Sequence, residues 1–180
     1  MKLTLQDKPD DNSWQEALTL YREAFPTEGR KPDAILDRMF EKRISMLATG
    51  IEDGVMKAMA ICGVLAKPKL LLIDYLAVRE TDRGQGIGTA FVSMIAEWAR
   101  EQALDGLLIE AEADDTAENK ARIRFWEKCG FARTDYVHQY IWVPEPYRAM
   151  VRYFEPDRFT APDGQALFRH ISEFHRRSFR

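Results

Sequence analysis

A short glycine-rich stretch, Arg83–Gly88, constrains the fold of this chain more than any other part of its sequence. An apolar run, Leu70 to Val78, precedes it and an amphipathic pattern begins near Thr89, so the glycines lie where a strand turns into a helix. Glycine lets backbone N–H groups converge on one point because no Cβ stands in the way. The helix adds unpaired N–H groups and the positive end of its dipole. The stretch therefore predicts a phosphate or pyrophosphate site, to which Arg83 adds a fork of donors.

The spacing of the glycines narrows the choice of ligand. The dinucleotide pattern G-x-G-x-x-G fails because Thr89 stands in the third glycine's place after Gly84 and Gly86. The P-loop pattern fails as well, because no Gly-Lys-Ser/Thr follows. The pattern that fits is Arg/Gln-x-x-Gly-x-Gly/Ala, on Arg83, Gly86 and Gly88. It resembles the acetyl-coenzyme A pyrophosphate loop of the GNAT superfamily of N-acetyltransferases, which implies cofactor contacts from Arg83 to Thr89. The alternative is a glycine-rich turn without a ligand.

Composition limits the class of protein. At 180 residues, with 46% hydrophobic and 31% charged residues, the chain has the size and balance of a single soluble globular domain over residues 1–180. A net charge of −3 argues against nonspecific nucleic-acid binding. We see neither a signal peptide nor an apolar run of transmembrane length, so we expect no membrane association and a cytoplasmic location. Cys62 and Cys129 lack metal-ligand spacing and are interpreted as buried thiols.

Hydrophobic periodicity gives the order of elements as β-α-α-β-β-β-α-β-α-β-β followed by a C-terminal helix. This order predicts a mixed α/β (α+β) fold in which a central, mostly antiparallel sheet is flanked by helices. It is also the order of the GNAT fold, and the resemblance covers Lys2 to Phe154. Residues 155–180 form an extension whose helix carries an apolar stripe on Leu167, Phe168, Ile171 and Phe174. We expect this stripe to dock on its own sheet, while docking on a second subunit would make a homodimer.

A second motif, Asn119–Phe131, is similar to the GNAT segment Asn-x-x-Ala-x-x-Leu/Phe-Tyr-Glu-Lys-x-Gly-Phe. The resemblance implies that Asn119 bonds the amide chain of the cofactor, although an asparagine here can also be a simple helix cap. It also implies that the backbone of Leu76 and Val78 pairs with the pantetheine arm. Trp126 replaces the tyrosine that the family usually uses to protonate the leaving thiolate. Because an indole has no usable proton at neutral pH, we expect Trp126 to line the thioester pocket.

Acetylation of an amine requires removal of a proton, and we name Asp74, Glu110 and Tyr136 as candidate catalytic residues. Asp74 interrupts an apolar strand, with Tyr75 expected on the opposite face. Glu110 and Glu112 share one face near the end of the next strand. Three ring-bearing candidates share one face of the sixth strand: Tyr136, His138 and Tyr140. Each of these side chains could instead be an ordinary surface group.

The sequence shows no pattern of metal ligands, and His170 and His175 of the last helix are expected to be solvated. We interpret the chain as an acetyl-CoA-dependent N-acetyltransferase that transfers the acetyl group directly to a primary amine of a small molecule or peptide. The resemblance implies acetyl-CoA as the cosubstrate and no acyl-enzyme. Two alternatives stay open: a catalytically silent acyl-CoA-binding regulatory module, and an enzyme with another acyl donor or an alcohol acceptor.

Overall fold

The computed structural model describes residues 1–158 and 163–180, in which seven strands build one sheet. The strands are β1 (Lys2–Gln6), β2 (Met46–Glu52), β3 (Val55–Leu65), β4 (Leu70–Val78), β5 (Gly106–Glu112), β6 (Ala132–Gln139) and β7 (Pro146–Tyr153). Their order across the sheet is β1-β2-β3-β4-β5-β7-β6, so β6 forms an edge and β7 lies next to it. Among the described strands, β4 and β5 pair in parallel and all other neighbours are antiparallel.

Helices cover both faces of the sheet. They are α1 (Asp11–Ala24), α2 (Asp33–Glu41), α3 (Ile87–Glu101), α4 (Ala117–Lys128) and α5 (Gly164–Phe179). Apolar residues of α1, α2 and α5 share one core with the sheet, and those of α3 and α4 share the other. The predicted mixed, mostly antiparallel sheet with flanking helices and a C-terminal helix is therefore confirmed. No helix within the described ranges has the length and apolar character needed to cross a membrane.

Helix N-termini are fixed by short polar side chains. Asp10 caps α1, and its carboxylate accepts hydrogen bonds from the Ser13 N–H and hydroxyl groups at 3.0 and 2.7 Å. Asp163 caps α5, accepting from the N–H groups of Gln165 and Ala166. These caps satisfy N–H groups that have no partner inside the helix.

An extra residue in β4 changes the direction of the strand at the centre of the sheet. Ile61 of β3 lies opposite Tyr75, but its neighbour Cys62 lies opposite Ile73, so Asp74 has no partner and forms a bulge. A bulge breaks the alternation of side chains between the two faces. Tyr75 consequently packs on the same face to which Asp74 points, and the expectation that the two residues face opposite sides is wrong.

Helix α5 packs on the sheet of its own chain, as expected. Its apolar stripe is buried in the core shared with α1 and α2: Leu167, Phe168, Ile171 and Phe174. The Phe174 ring lies directly over Gly63 of β3, where a Cβ would overlap the ring. Glycine at this position therefore lets α5 approach the middle of the sheet.

Replacement of Gly63 by alanine tests the close approach of α5. We expect Gly63→Ala to lower the free energy of unfolding by about 1–3 kcal/mol, because the added methyl group displaces the Phe174 ring. Gly29→Ala is the matched control, since its Cβ would meet nothing closer than 3.7 Å and its cost should stay within about 0.5 kcal/mol. Urea denaturation of both variants measures the difference. Equal stability of the two would contradict the described packing.

Candidate active site

The sheet opens between β4 and β5. The segment Leu70–Leu72 of β4 pairs with the segment Gly106–Leu108 of β5. Beyond Leu72, the two strands do not pair in the described structure. The bulge at Asp74 begins just after the last paired residue. The Asp74 side chain is 3% exposed although the residue as a whole is half-buried, so the accessible part of this residue is its backbone. The gap thus presents strand backbone to a ligand, as the edge of a sheet does.

The glycine-rich stretch lies at the end of β4 and has the conformation expected of an anion site. Gly84 and Gly86 have φ angles of +77° and +82°, a backbone conformation that residues with a side chain rarely adopt. A Cβ added to either glycine would enter open space. Gly86 is the N-cap of α3, and no side chain caps this helix. The first backbone N–H groups of α3 therefore remain available to bind an anion in the open space beside Gly86.

Other residues of this stretch have partners within the protein. Gly88 leaves room for the Phe125 ring of α4, which would lie 3.1 Å from a Cβ. The Arg83 guanidinium donates from Nε to the backbone oxygen of Val78 at 3.1 Å. The Thr89 hydroxyl contacts the Cys129 thiol, a buried free cysteine whose pKa burial raises. Gly88 thus serves helix packing, and Arg83 ties the loop to the last residue of β4.

Asn119 and Trp126 lie on α4, which Thr116 caps through a 3.1 Å hydrogen bond from the Asn119 N–H group to the Thr116 hydroxyl. Asn119 is therefore not the helix cap. Its buried amide donates to the Asp114 backbone oxygen at 3.2 Å, and its amide oxygen accepts from Arg122 at 3.1 Å. The Trp126 ring is half-buried and packs edge-on against the neighbouring aromatic rings of Phe125 and Phe131.

A buried polar cluster lies on the opposite face of the sheet from α3 and α4, under α5. Lys31, from the segment before α2, pairs with Asp74 through both carboxylate oxygens at 2.9 and 2.7 Å, and both side chains are 5% exposed or less. His175 of α5 lies 3.2 Å from the same ammonium through Nδ1. Its Nε2 lies 2.6 Å from Glu110 of β5. Tyr140, just after β6, donates to the other oxygen of Glu110 at 2.7 Å.

The donors and acceptors around His175 indicate which of its two ring nitrogens donates a hydrogen bond. The Lys31 ammonium has three N–H groups and no acceptor, and its three neighbours are the two Asp74 oxygens and Nδ1 of His175. Nδ1 must therefore accept, which leaves the proton on Nε2, directed at Glu110. In this arrangement Nε2 donates to the Glu110 carboxylate.

Glu110 is held as an anion although it is buried. Burial is the largest single effect on its pKa and acts to raise it. The interaction with His175, followed by the hydrogen bond from Tyr140, outweighs burial, so the pKa lies below its usual value. Burial and the neighbouring Glu110 charge raise the pKa of the Tyr140 hydroxyl, which remains a donor.

Lys31, Asp74 and Glu110 carry one positive and two negative charges, so these three residues have a net charge of −1. Two more rings close the site around Lys31. The Tyr75 hydroxyl accepts from the Lys31 backbone N–H at 3.1 Å, and the Tyr21 hydroxyl donates to the Lys31 backbone oxygen at 3.1 Å. An excess of negative charge in a partly closed site favours a cationic ligand.

The structure brings two of the three candidate catalytic residues together. Oxygen atoms of Asp74 and Glu110 and a nitrogen of His175 lie within 4.8 Å of one another. Tyr136 instead contacts His138 and Phe168 and lines a separate groove of about 400 Å³ between β6 and α5. Tyr136, His138 and Tyr140 do share one face as predicted, but it is Tyr140 that reaches Glu110.

Asp74, Glu110 and His175 are also residue types that bind metal ions. Here the Lys31 ammonium lies among them and bonds both oxygens of Asp74, so a cation already occupies the position that a metal would take. The arrangement fits an ion-pair network better than a metal site.

Sequence reasoning missed Lys31 and misplaced His175. The His175 side chain is 13% exposed, so the expectation of a solvated histidine is wrong. A signal was available, because His175 stands four residues after Ile171 and directly after Phe174, on the buried stripe of α5. Lys31 follows a turn, and no local pattern distinguishes it from an exposed lysine.

Comparison with known proteins supplies the family. The model of the acetyltransferase (GNAT) family matches residues 14–131, which is more than half of the chain. The chain belongs to this family. The glycine-rich stretch and the segment up to Phe131 both lie within the match, and the resemblance proposed from sequence is confirmed. No curated protein is significantly similar to the chain in sequence.

Solved structures of GNAT proteins share the fold at low identity. A protein assigned to the family from Bacteroides thetaiotaomicron is 16% identical, with a TM-score of 0.72 over 98% of this chain and 95% of that one. An aminoglycoside 6'-N-acetyltransferase complexed with coenzyme A is 14% identical, with a TM-score of 0.67 over 91% and 100% of the two chains. A protein assigned as a streptothricin acetyltransferase from Bacillus anthracis, in complex with acetyl coenzyme A, is 17% identical, with a TM-score of 0.52. That alignment covers 61% of this chain and 62% of the other.

Replacement of Lys31 tests the buried ion pair. We expect Lys31→Met to lower the free energy of unfolding by about 3–5 kcal/mol, because Asp74 is left charged and unpaired in the protein interior. Arg22→Met removes the exposed pair with Asp33 and should cost less than about 1 kcal/mol. Urea denaturation measures both.

A double variant separates the lost pair from lost packing. Lys31→Met combined with Asp74→Leu should recover a large part of the stability, since no buried charge is then left without a partner. If Lys31→Met costs no more than Arg22→Met, the pair is not buried as described.

Proposed function

We propose that the protein is an acetyl-CoA-dependent N-acetyltransferase that transfers the acetyl group directly to a primary amine of a small molecule or peptide. The observation that carries this proposal is the position of Glu110, an ionised carboxylate at the open end of the gap between β4 and β5. The glycine-rich stretch follows the end of β4 and leads into α3 on one face of the sheet, and the anionic cluster lies on the other face. A site for a phosphorylated donor and a site for a cationic acceptor therefore meet at β4.

On the donor side, the residues present fit acetyl-CoA. We propose that the pyrophosphate is bound by Gly84, Gly86 and the first N–H groups of α3, including that of Thr89, with Arg83 beside them. The pantetheine arm then pairs with the backbone of Leu76 and Val78, which has no strand partner on the side of β5 in the described structure. The carbonyl of the thioester accepts a hydrogen bond from a backbone N–H group of the same strand.

Asn119, Gly88 and Trp126 have supporting places in this proposal. Gly88 lets α4 pack against the start of α3, so that Asn119 and Trp126 lie beside the arm rather than at the pyrophosphate. Asn119 reaches the arm only if it exchanges a present partner, Asp114 or Arg122, for a ligand amide.

On the acceptor side, a protonated amine is attracted by the net negative charge of the cluster and hydrogen-bonds Glu110. The neutral amine, formed by loss of a proton to solvent, attacks the thioester carbon. The new C–N bond makes the nitrogen a much stronger acid, so Glu110 can take its remaining extra proton although the pKa of that carboxylate is low. The C–S bond then breaks, and the thiolate takes a proton from solvent. Glu110 returns its proton to solvent, so the protonated amine and acetyl-CoA give the N-acetyl product, coenzyme A and one proton in total.

Measurement of thiol release tests the proposal. The purified protein is incubated with acetyl-CoA and a panel of amines, diamines, amino acids and lysine peptides, and free thiol is followed against controls without acceptor. Turnover with any member, with the acetylated product identified by mass spectrometry, supports the proposal. The alternative, a silent acyl-CoA-binding module, is favoured by Trp126 in the tyrosine's place. It predicts coenzyme binding with no turnover for the whole panel.

Replacement of Gly86 tests the phosphate site. We expect Gly86→Glu to weaken coenzyme A binding more than about a hundredfold, because a carboxylate beside the pyrophosphate costs several kcal/mol. Gly54→Glu is the matched control, because Gly54 has a similar φ of +75° and equally open surroundings in the turn between β2 and β3. Isothermal calorimetry on both folded variants measures the affinities. Wild-type affinity of Gly86→Glu would place the phosphate elsewhere.

Replacement of Trp126 by tyrosine tests the hypothesis that residue 126 lines the thioester pocket. A phenol at this position could donate a proton to the leaving thiolate, so we expect turnover to be retained or raised. Steady-state kinetics with an acceptor from the panel measures it, with coenzyme A affinity as the control. A large loss of turnover at unchanged affinity would mean that the indole itself positions the acceptor.

A further inference from the structure

His175 reaches the candidate active site from outside the segment that the family model matches. It lies on α5, whereas the match ends at residue 131. Its Nε2 is nonetheless 2.6 Å from Glu110, and its Nδ1 is 3.2 Å from the Lys31 ammonium. The side chain is therefore held at both nitrogens between two charged groups that belong to two other parts of the chain.

Glu110 needs a donor at this position. Its carboxylate lies under α5 with 15% of the side chain exposed, and water alone cannot solvate it fully. Tyr140 supplies one hydrogen bond to one oxygen, and His175 supplies the bond to the other. Without the Nε2–H group, this second oxygen of Glu110 would lose its hydrogen bond from His175.

We infer that His175 is a positioning residue for Glu110, whose Nε2–H group keeps the carboxylate ionised and directed at the gap where it meets the acceptor amine. Lys31 contributes by occupying Nδ1, which forces the donor onto Nε2. This inference rests on the proposed function. It makes the C-terminal helix a part of the acceptor site rather than only a cover for the sheet.

Other titratable groups also face Glu110 and belong to the same account. They come from each element packed around it: Lys31 before α2, Asp74 of β4, His138 of β6, Tyr140 directly after β6, Tyr147 of β7, and His175 of α5. Burial, with the Glu112 and Glu110 charges, raises the pKa of Tyr147 to about 12, and burial lowers the pKa of His138. Tyr147 therefore stays neutral over the acidic range in which Glu110 titrates, whereas His138 gains a proton as the pH falls, so the midpoint is read from the Glu110 resonance itself.

The test compares two amides at position 175. In His175→Gln, the side-chain amide nitrogen can occupy the place of Nε2 and donate to Glu110. In His175→Asn, the shorter side chain places its amide near Nδ1, beside Lys31, and leaves Glu110 without that donor. Both variants lose the imidazole and keep a side-chain amide, so their polarity is matched and they differ by one methylene group. His170→Asn, on the same helix and outside this network, controls for changes in α5.

The titration of Glu110 is measured directly, without substrates, by ¹³C NMR of protein labelled at the glutamate carboxyl carbons. The Glu110 resonance is identified by its loss in Glu110→Gln. We expect wild type, His175→Gln and His170→Asn to titrate below the ordinary glutamate value of 4.5, and His175→Asn to titrate higher, at or above it. Equal midpoints for the Gln and Asn variants would overturn the inference.

The kinetic comparison uses the best acceptor of the panel. We expect His175→Asn to raise the KM for the amine about tenfold or more, as loss of a hydrogen bond to a charged group does, while the KM for acetyl-CoA is unchanged. His175→Gln should restore most of the difference. A shifted titration with unchanged KM for the amine would also overturn the inference. A wild-type protein that releases no thiol contradicts the proposed function itself, and is recognised without any variant.

Discussion

The bulge at Asp74 is the constraint on which the rest of the site depends. One extra residue in β4 ends the pairing with β5 after Leu72, so the two strands separate while the sheet continues on either side. The separation exposes strand backbone in the interior of a sheet, where such groups are normally paired. It also turns Asp74 towards α5. The gap between β4 and β5 and the anionic cluster are therefore two consequences of one irregularity.

A charge placed at such a point must be balanced, and the chain balances it with residues that are distant in sequence. Lys31 is 43 residues from Asp74, and Glu110 is 65 residues from His175. The pairs join α5 and the segment before α2 to the two strands that separate. Because each buried charge is costly without its partner, removal of any one partner destabilises the contact between these elements. The same bonds that fix the helices leave one net negative charge beside the gap.

Much of the fold was predictable because its signals are local. Periodicity and turn residues gave the order of elements, and the alternating glycines gave the loop before α3, where Gly84 and Gly86 do adopt positive φ. The bulge had no local signal, because Asp74 in an apolar strand looks the same with or without one. Lys31 could not be found for a similar reason, since its role exists only through long-range contacts. His175 could have been found by noting that it stands on the buried stripe of α5.

Hydrogen exchange followed by mass spectrometry, with and without acetyl-CoA, tests most directly whether the separated strands bind the donor. Residues 73–78 and 83–89 should exchange more slowly with the ligand, because pantetheine takes the place of a strand partner and the pyrophosphate covers the start of α3. Exchange in β1 and β2, at the far end of the sheet, should not change. Protection confined to other segments, or none at all at saturating ligand, would contradict the account.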